Sequence, residues 1–192
     1  SLLKIYLDYL SSKLKNYIMA IRRPFNFQKW IDEHRHLLKP PVGNKLVYED
    51  ADLIVMVVGG PNARKDYHYN EGEEFFYQME GNIVVKIQED GKAVEVPINE
   101  GDILLLPAKV PHSPIRSENS VGLVIELKRK ENEKDGLMWF CDNCNHKLYE
   151  EYFPLTSIVN DFLPVFKKFY SSDELRTCDK CGTVMDADER FI

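Results

Sequence analysis

The 192-residue sequence predicts a mainly β protein: a jelly-roll β-barrel with flanking helices and a small C-terminal four-cysteine metal-binding module. Three observations carry that prediction. Between Asn44 and Leu127, short β-branched runs recur at close, even spacing with turn residues between them, the pattern of a sandwich or jelly roll. The flanks have a different texture, with helical periodicity before the runs and a charged stretch followed by an apolar helical one after them. All four cysteines fall in two Cys-x2-Cys pairs, Cys141/Cys144 and Cys178/Cys181. In a reducing compartment such pairing favours a metal site over disulfides.

Each element follows from local chemistry. From Ser1 to Ile18, residues Leu3, Leu7, Leu10, Leu14 and Tyr17 step by four and three along one helical seam. That stretch reads as an amphipathic packing helix or as a leader ahead of a natural start at Met19. A second helix is expected over Phe27 to Leu38, capped by Asn26 and ended by Pro40 and Pro41. Strands are expected over Lys45 to Tyr48, Leu53 to Val58, Glu74 to Met79, Ile83 to Gln88, Ala93 to Ile98, Ile103 to Leu106 and Val121 to Leu127. The separators Gly59-Gly60-Pro61, Glu80-Gly81-Asn82, Asp90-Gly91 and Glu100-Gly101-Asp102 carry turn chemistry. Beyond Leu127 come charged residues through Asp135, the first Cys pair, an apolar helix over Pro154 to Tyr170, and the second Cys pair. The division expected is residues 1–18, a barrel with its N-terminal helix over 19–130, and the C-terminal metal module over 131–192.

Composition excludes several function classes. With 44% hydrophobic and 29% charged residues the chain is a globular one. A net charge of −6 argues against a nucleic-acid partner, whose phosphates demand clustered Lys and Arg. No apolar run approaches the roughly 20 residues that span a bilayer, and no signal-peptide layout opens the chain, so a cytoplasmic location without membrane association is expected.

The chemistry concentrates in two segments, His68-Tyr-Asn70-Glu-Gly-Glu-Glu74 with Gly81, and Gly101-Asp-Ile-Leu-Leu-Leu-Pro107 with His112. A strand with its entry loop can aim His68 and Glu74 into one cavity, and a second hairpin can bring His112 opposite them. Two imidazoles and one carboxylate on one face of a metal leave open positions, which suits non-haem Fe(II) chemistry with a substrate and O2. His34 and His36 read as ordinary surface or core residues. The two segments resemble the paired motifs of the cupin superfamily: His, Glu six positions on, Gly seven after that, then Gly-x5-Pro and a closing His. Two positions depart from it. Asn70 stands where most cupins carry a further His ligand, and Lys109 where they carry a turn Gly.

A closer resemblance runs from about Arg22 to the C-terminus. Arg64, His68, the run Glu74-Phe-Phe-Tyr-Gln-Met-Glu-Gly81, the run Leu104-Leu-Leu-Pro-Ala-Lys-Val-Pro-His-Ser-Pro114, Arg116 and Val121-Gly-Leu-Val-Ile-Glu126 are similar to the 3-hydroxyanthranilate 3,4-dioxygenase family. The resemblance implies Fe(II)-dependent opening of 3-hydroxyanthranilate by O2 to 2-amino-3-carboxymuconate semialdehyde, the precursor of quinolinate in NAD biosynthesis. It implies His68, Glu74 and His112 as iron ligands, Arg64 toward dioxygen, and Arg116 toward the substrate carboxylate. Glu126 would face the substrate amino or hydroxyl group as a proton acceptor, with Glu74 and Asn44 also bordering the substrate. Independently of the resemblance, Arg suits an anionic group through its planar donor fork. A carboxylate at Glu126, within an apolar strand, is expensive to bury unless it is paired or used.

Each Cys-x2-Cys pair forms a knuckle, and two knuckles complete a tetrahedral S4 site that takes iron or zinc. Tyr149 and Gly182 give the pair a rubredoxin-like look, and the resemblance implies iron. A closed S4 site without an open position is expected to act as a staple for a module with little core. A homodimer is expected by analogy with other barrels of this kind. The alternatives are a non-enzymatic cupin that senses or stores a small ligand, a rubredoxin-like electron carrier fused to a barrel, and a sugar-phosphate isomerase.

Overall fold

Alternation of inward and outward side chains organises the protein. In strand β4 (Glu74–Glu80), Glu74, Phe76 and Gln78 are buried while Phe75 and Tyr77 are half-buried, the period of two that gives a strand one core face. The computed structural model describes residues 22–40 and 43–192, without the side chains of 158 and 159. The helix expected over Ser1 to Ile18 lies outside the described residues.

Chain contacts divide the molecule into residues 1–33 and 34–192. In the first unit Asn26 opens helix α1 (Phe27–His34), its side-chain oxygen accepting from the Lys29 backbone N–H at 2.8 Å as an N-cap should. The helix expected to run to Leu38 tightens into a 3-10 turn over Arg35–Leu37, closed by Leu38 N–H donating to the Arg35 carbonyl at 3.1 Å.

The second unit holds eleven strands among the described residues: β1 (Asn44–Leu46), β2 (Leu53–Gly59), β3 (Tyr67–Tyr69), β4, β5 (Ile83–Glu89), β6 (Lys92–Ile98), β7 (Ile103–Leu106), β8 (His112–Arg116), β9 (Val121–Leu127), β10 (Asp135–Phe140) and β11 (Lys147–Phe153). They pair antiparallel into a five-stranded sheet, β1-β2-β9-β4-β7, and a six-stranded sheet, β11-β10-β3-β8-β5-β6. Every strand expected from the sequence forms, within a residue or two at its ends. β3, β8, β10 and β11 were not expected, and the last two add residues from beyond 131 to the six-stranded sheet through β3.

The sheets face each other across Met56, Phe76, Leu106 and Val124 from the first and Ile83, Val85 and Ile98 from the second. Each such side chain contributes roughly 1.5–3 kcal/mol by leaving water. A second cluster forms where helices α2 (Ile158–Tyr170) and α3 (Asp173–Arg176) meet β10. There Trp139 stacks on Phe169 with centroids 4.2 Å apart, joined by Leu137, Phe162, Val165, Tyr170 and Met185. Ser157 caps α2, accepting from the Asn160 N–H. Among the described residues no helix is long and apolar enough to cross a membrane.

Candidate active site

The two sheets deliver complementary groups to one place. His68 in β3 lies directly opposite His112 in β8, and Glu74 in β4 directly opposite Glu126 in β9, so the imidazoles come from one sheet and the carboxylates from the other. The imidazole centroids are 5.2 Å apart. Glu74 Oε1 lies 3.3 Å from His112 Nε2 and 3.5 Å from His68 Nδ1. One donor atom from each of the three residues falls within 4.8 Å of the others, a set able to hold a metal ion. The Val110 carbonyl can only accept, so His112 Nδ1, at 2.9 Å from it, carries the proton and Nε2 keeps its lone pair.

The electrostatics agree with that convergence. Burial alone would raise the Glu74 carboxyl, but the charges and hydrogen bonds of His112 and His68 hold it well below the usual carboxylate range. Burial alone would lower His68, yet its hydrogen bonds to Asp135 and Glu74 push it up to about 9. Protons and a metal compete for such a nitrogen.

Asn70 does more than vacate a ligand position. Its amide donates to Glu74 Oε1 at 3.2 Å and to Glu126 Oε2 at 2.9 Å, while its own oxygen accepts from Gly72 N–H. Lys109, the other departure from the cupin pattern, adopts φ +68° without being a glycine, and its N–H donates to the Asn70 carbonyl at 2.8 Å. The turn therefore keeps the left-handed geometry that usually calls for glycine. Glu126, at 5% exposure, faces inward, and burial followed by repulsion from Glu74 raises its carboxyl, against the opposing pull of Arg129.

The structure distributes the two sequence-selected arginines differently. Arg64 is paired with the buried Asp66 and is close enough to Glu74 to feel its charge. Arg116 is 4% exposed, and its Nη1 has no hydrogen-bond partner. Burial, then the charge of Arg64, pushes it down to about 10. Its guanidinium lies over Gly122, where a Cβ would sit 2.9 Å from Nη1. Asn44, in β1, aligns with Val58, which aligns with Gly122, and so shares the Arg116 row and not the row of Glu74 and Glu126.

The cysteine knuckles repeat one another. Cys141 and Cys178 each accept at their carbonyl from the N–H four residues on, at 2.9 and 2.8 Å, and each donates its own N–H to the carbonyl five residues on, at 2.8 Å. The fourth residue is left-handed in both, Asn145 at φ +55° and Gly182 at φ +74°. The four sulfurs gather within 4.8 Å, with Cys141 to Cys181 at 3.5 Å and Cys144 to Cys178 at 3.6 Å. This is a metal-capable S4 cluster.

The profile of 3-hydroxyanthranilic acid dioxygenase matches residues 19–170. The chain belongs to that family. A protein of Xanthomonas euvesicatoria pv. vesicatoria named 3-hydroxyanthranilate 3,4-dioxygenase is 59% identical over 88% of this chain and 95% of its own. One of the same name from Jannaschia sp. is 58% identical over 86% of this chain and 93% of its own. Among solved structures, a cupin-2 domain containing protein from Shewanella frigidimarina aligns with a TM-score of 0.44 at 18% identity, over 54% of this chain and 94% of that one. The resemblance read from the motifs is thus borne out, as is the enzyme class.

In this member of the 3-hydroxyanthranilic acid dioxygenase family, two residues beside the triad carried no signal in the sequence. Asp135 is fully buried and its Oδ2 lies 2.6 Å from His68 Nε2. Arg129 donates from Nε and Nη2 to both Asp135 oxygens, at 2.8 and 2.5 Å, and from Nη1 to Glu126. Both stand in a run, Lys128-Arg-Lys-Glu-Asn-Glu-Lys-Asp135, whose charge reads as a solvated linker.

Proposed function

We propose that His68, Glu74 and His112 hold one Fe(II) and that the protein opens the ring of 3-hydroxyanthranilate with O2 to give 2-amino-3-carboxymuconate semialdehyde, which closes to quinolinate. The convergence of three donor atoms within 4.8 Å, from buried Glu74 and His112 and half-buried His68, in a chain of this family, carries the reading. Two imidazoles and a carboxylate suit Fe(II) and leave coordination positions free. Bound there, the metal would supply a Lewis acid for the reaction of an aminophenol with dioxygen.

The protein's own groups do the rest. The unpartnered Nη1 of Arg116 supports its assignment to the substrate carboxylate, because a buried guanidinium lacking an acceptor is completed by one. Its row, Gln78 to Gly122, is four residues along the strands from the row of Glu74 and Glu126, about 13 Å between backbones at roughly 3.3 Å per residue. The Phe76–Val124 row lies between them and forms the apolar wall against which an aromatic ring would lie. Glu126, whose carboxyl is raised, accepts the proton that the substrate's hydroxyl or amino group releases on binding. Arg64, held by Asp66 and facing Glu74's charge, is assigned to the dioxygen side, and Asn44 to the rim of the Arg116 row. A sensing or storage protein has no use for two cations and a proton acceptor around an open metal.

The S4 cluster holds a second metal, iron or zinc, as a staple between β10 and the segment after α3. A reducing, cytoplasmic setting is supported by the gathering of all four cysteines in one metal-capable cluster. Homodimerisation through the outer face of the five-stranded sheet is supported by exposed Leu53, Ile103, Leu105 and Leu127. In the deciding assay, protein loaded anaerobically with Fe(II) and mixed with 3-hydroxyanthranilate and air develops near-ultraviolet absorbance that decays as quinolinate appears. An unchanged spectrum with the barrel fully loaded refutes the proposal.

A further inference from the structure

The groups around the triad close into a ring. Glu74 Oε1 accepts from Asn70, whose Nδ2 also donates to Glu126; Glu126 accepts from Arg129; Arg129 donates to Asp135; Asp135 lies against His68 Nε2; and His68 Nδ1 returns to Glu74 Oε1 at 3.5 Å. Within this ring Arg129 and Asp135 touch both functional halves, the imidazole on one side and the proton acceptor on the other.

We infer that Asp135 and Arg129 are the positioning residues of the centre: Asp135 sets the orientation and tautomer of His68, and Arg129 locks Asp135 and Glu126 into one fixed relation. The inference rests on the metal and substrate reading above. A carboxylate only accepts, so the 2.6 Å contact puts the proton of neutral His68 on Nε2 and leaves the Nδ1 lone pair on the side of Glu74 and His112. His112 is set in the mirror sense, with Nδ1–H on the Val110 carbonyl and Nε2 free toward Glu74. Each imidazole therefore has one outward acceptor that decides which nitrogen it presents. A guanidinium suits the joint because its planar fork can grip Asp135 with two nitrogens and still reach Glu126 with the third, which a lysine ammonium cannot do. Stability alone does not explain the array, because replacing buried ion pairs by packed apolar groups is often neutral or favourable.

The test uses full-length protein with its S4 site loaded, and measures Fe(II) affinity anaerobically by chelator competition, with the ring 15N shifts of His68 recorded in the zinc-loaded form. Asp135→Leu is expected to weaken Fe(II) about 100-fold and Asp135→Asn, which keeps an acceptor, about 10-fold, the range for partners of metal-bound histidines. Both should retain the wild-type far-ultraviolet spectrum and S4 metal. Asp135→Leu should also mix the His68 tautomers. Arg129→Lys should leave Fe(II) affinity within about threefold while raising KM for 3-hydroxyanthranilate. Wild-type affinity and a single His68 tautomer in Asp135→Leu overturn the inference and leave the metal reading standing. If His68→Ala binds Fe(II) as tightly as wild type, the metal reading falls and takes the inference with it.

Discussion

Arg116→Met is expected to make the protein more stable and less able to bind its substrate. The wild-type guanidinium is 4% exposed with an unpartnered Nη1, and burial, then the nearby charge of Arg64, pushes it from the ordinary guanidinium range down to about 10. A lowering of that size corresponds to about 3 kcal/mol of selective destabilisation of the charged form. The sign follows from proton binding: the unfolded chain holds this proton more tightly, so the cost is complete at every pH below about 10 and fades only as the pH rises above that value. Across neutral pH it is constant. Methionine keeps the apolar stem and removes the charge, so about 1–3 kcal/mol should return, raising Tm by about 2–4 °C per kcal/mol for a chain of this size. Binding should move the other way, since loss of a buried charge-assisted contact to a carboxylate costs about 2–5 kcal/mol and raises KM about 30-fold or more. Arg116→Lys should keep the stability cost and recover part of the affinity. Thermal unfolding without ligand, paired with steady-state kinetics, makes the measurement. An Arg116→Met protein that melts lower than wild type with KM unchanged would refute both the unsatisfied cation and its assigned partner.

Other substitutions separate the remaining groups. Asn70→His should occupy a position that Asn70 leaves to substrate or O2, so kcat falls while metal analysis still finds a full barrel site. Glu126→Gln removes the proton acceptor and should lower kcat/KM by about 10²–10⁴, with Fe(II) content unchanged by metal analysis. Cys141→Ser should lose the S4 metal and several kcal/mol of denaturant stability, a part of the roughly 10–16 kcal/mol that a structural thiolate site can contribute. The barrel iron of that variant should still turn over, and lost turnover with full barrel iron would give the S4 site an electron-transfer role.

What could be read in advance divides by how local the cause is. The seven expected strands were legible because β-branched runs and Gly or Asn turns act over a few residues. β8 was hidden by Pro114 in its middle, where a proline argues against a strand, although β8 lies inside the six-stranded sheet. β3 is three residues long, and β10 opens on Asp-Gly, which reads as a turn. The triad was legible because its spacings are written along the chain. Asp135 and Arg129 were not, because their partners are His68, 67 residues away, and a carboxylate that alternation turns inward. Asn70 was seen as a missing ligand, but its two hydrogen bonds depend on two strands that meet only in the folded sheet.

The contact between His68 and Asp135 has a consequence for the order of folding. His68 and His112 pair across 44 residues, whereas the carboxylate that orients His68 arrives only when β10 adds to β3, closing a longer loop of 67 residues. Long-range pairings of this kind form late, after local hairpins. A nascent chain can thus gather the three donors before the imidazole is set, and the residues that complete the setting run directly into Cys141. Maturation of the catalytic centre and closure of the thiolate site then become successive events along a single strand.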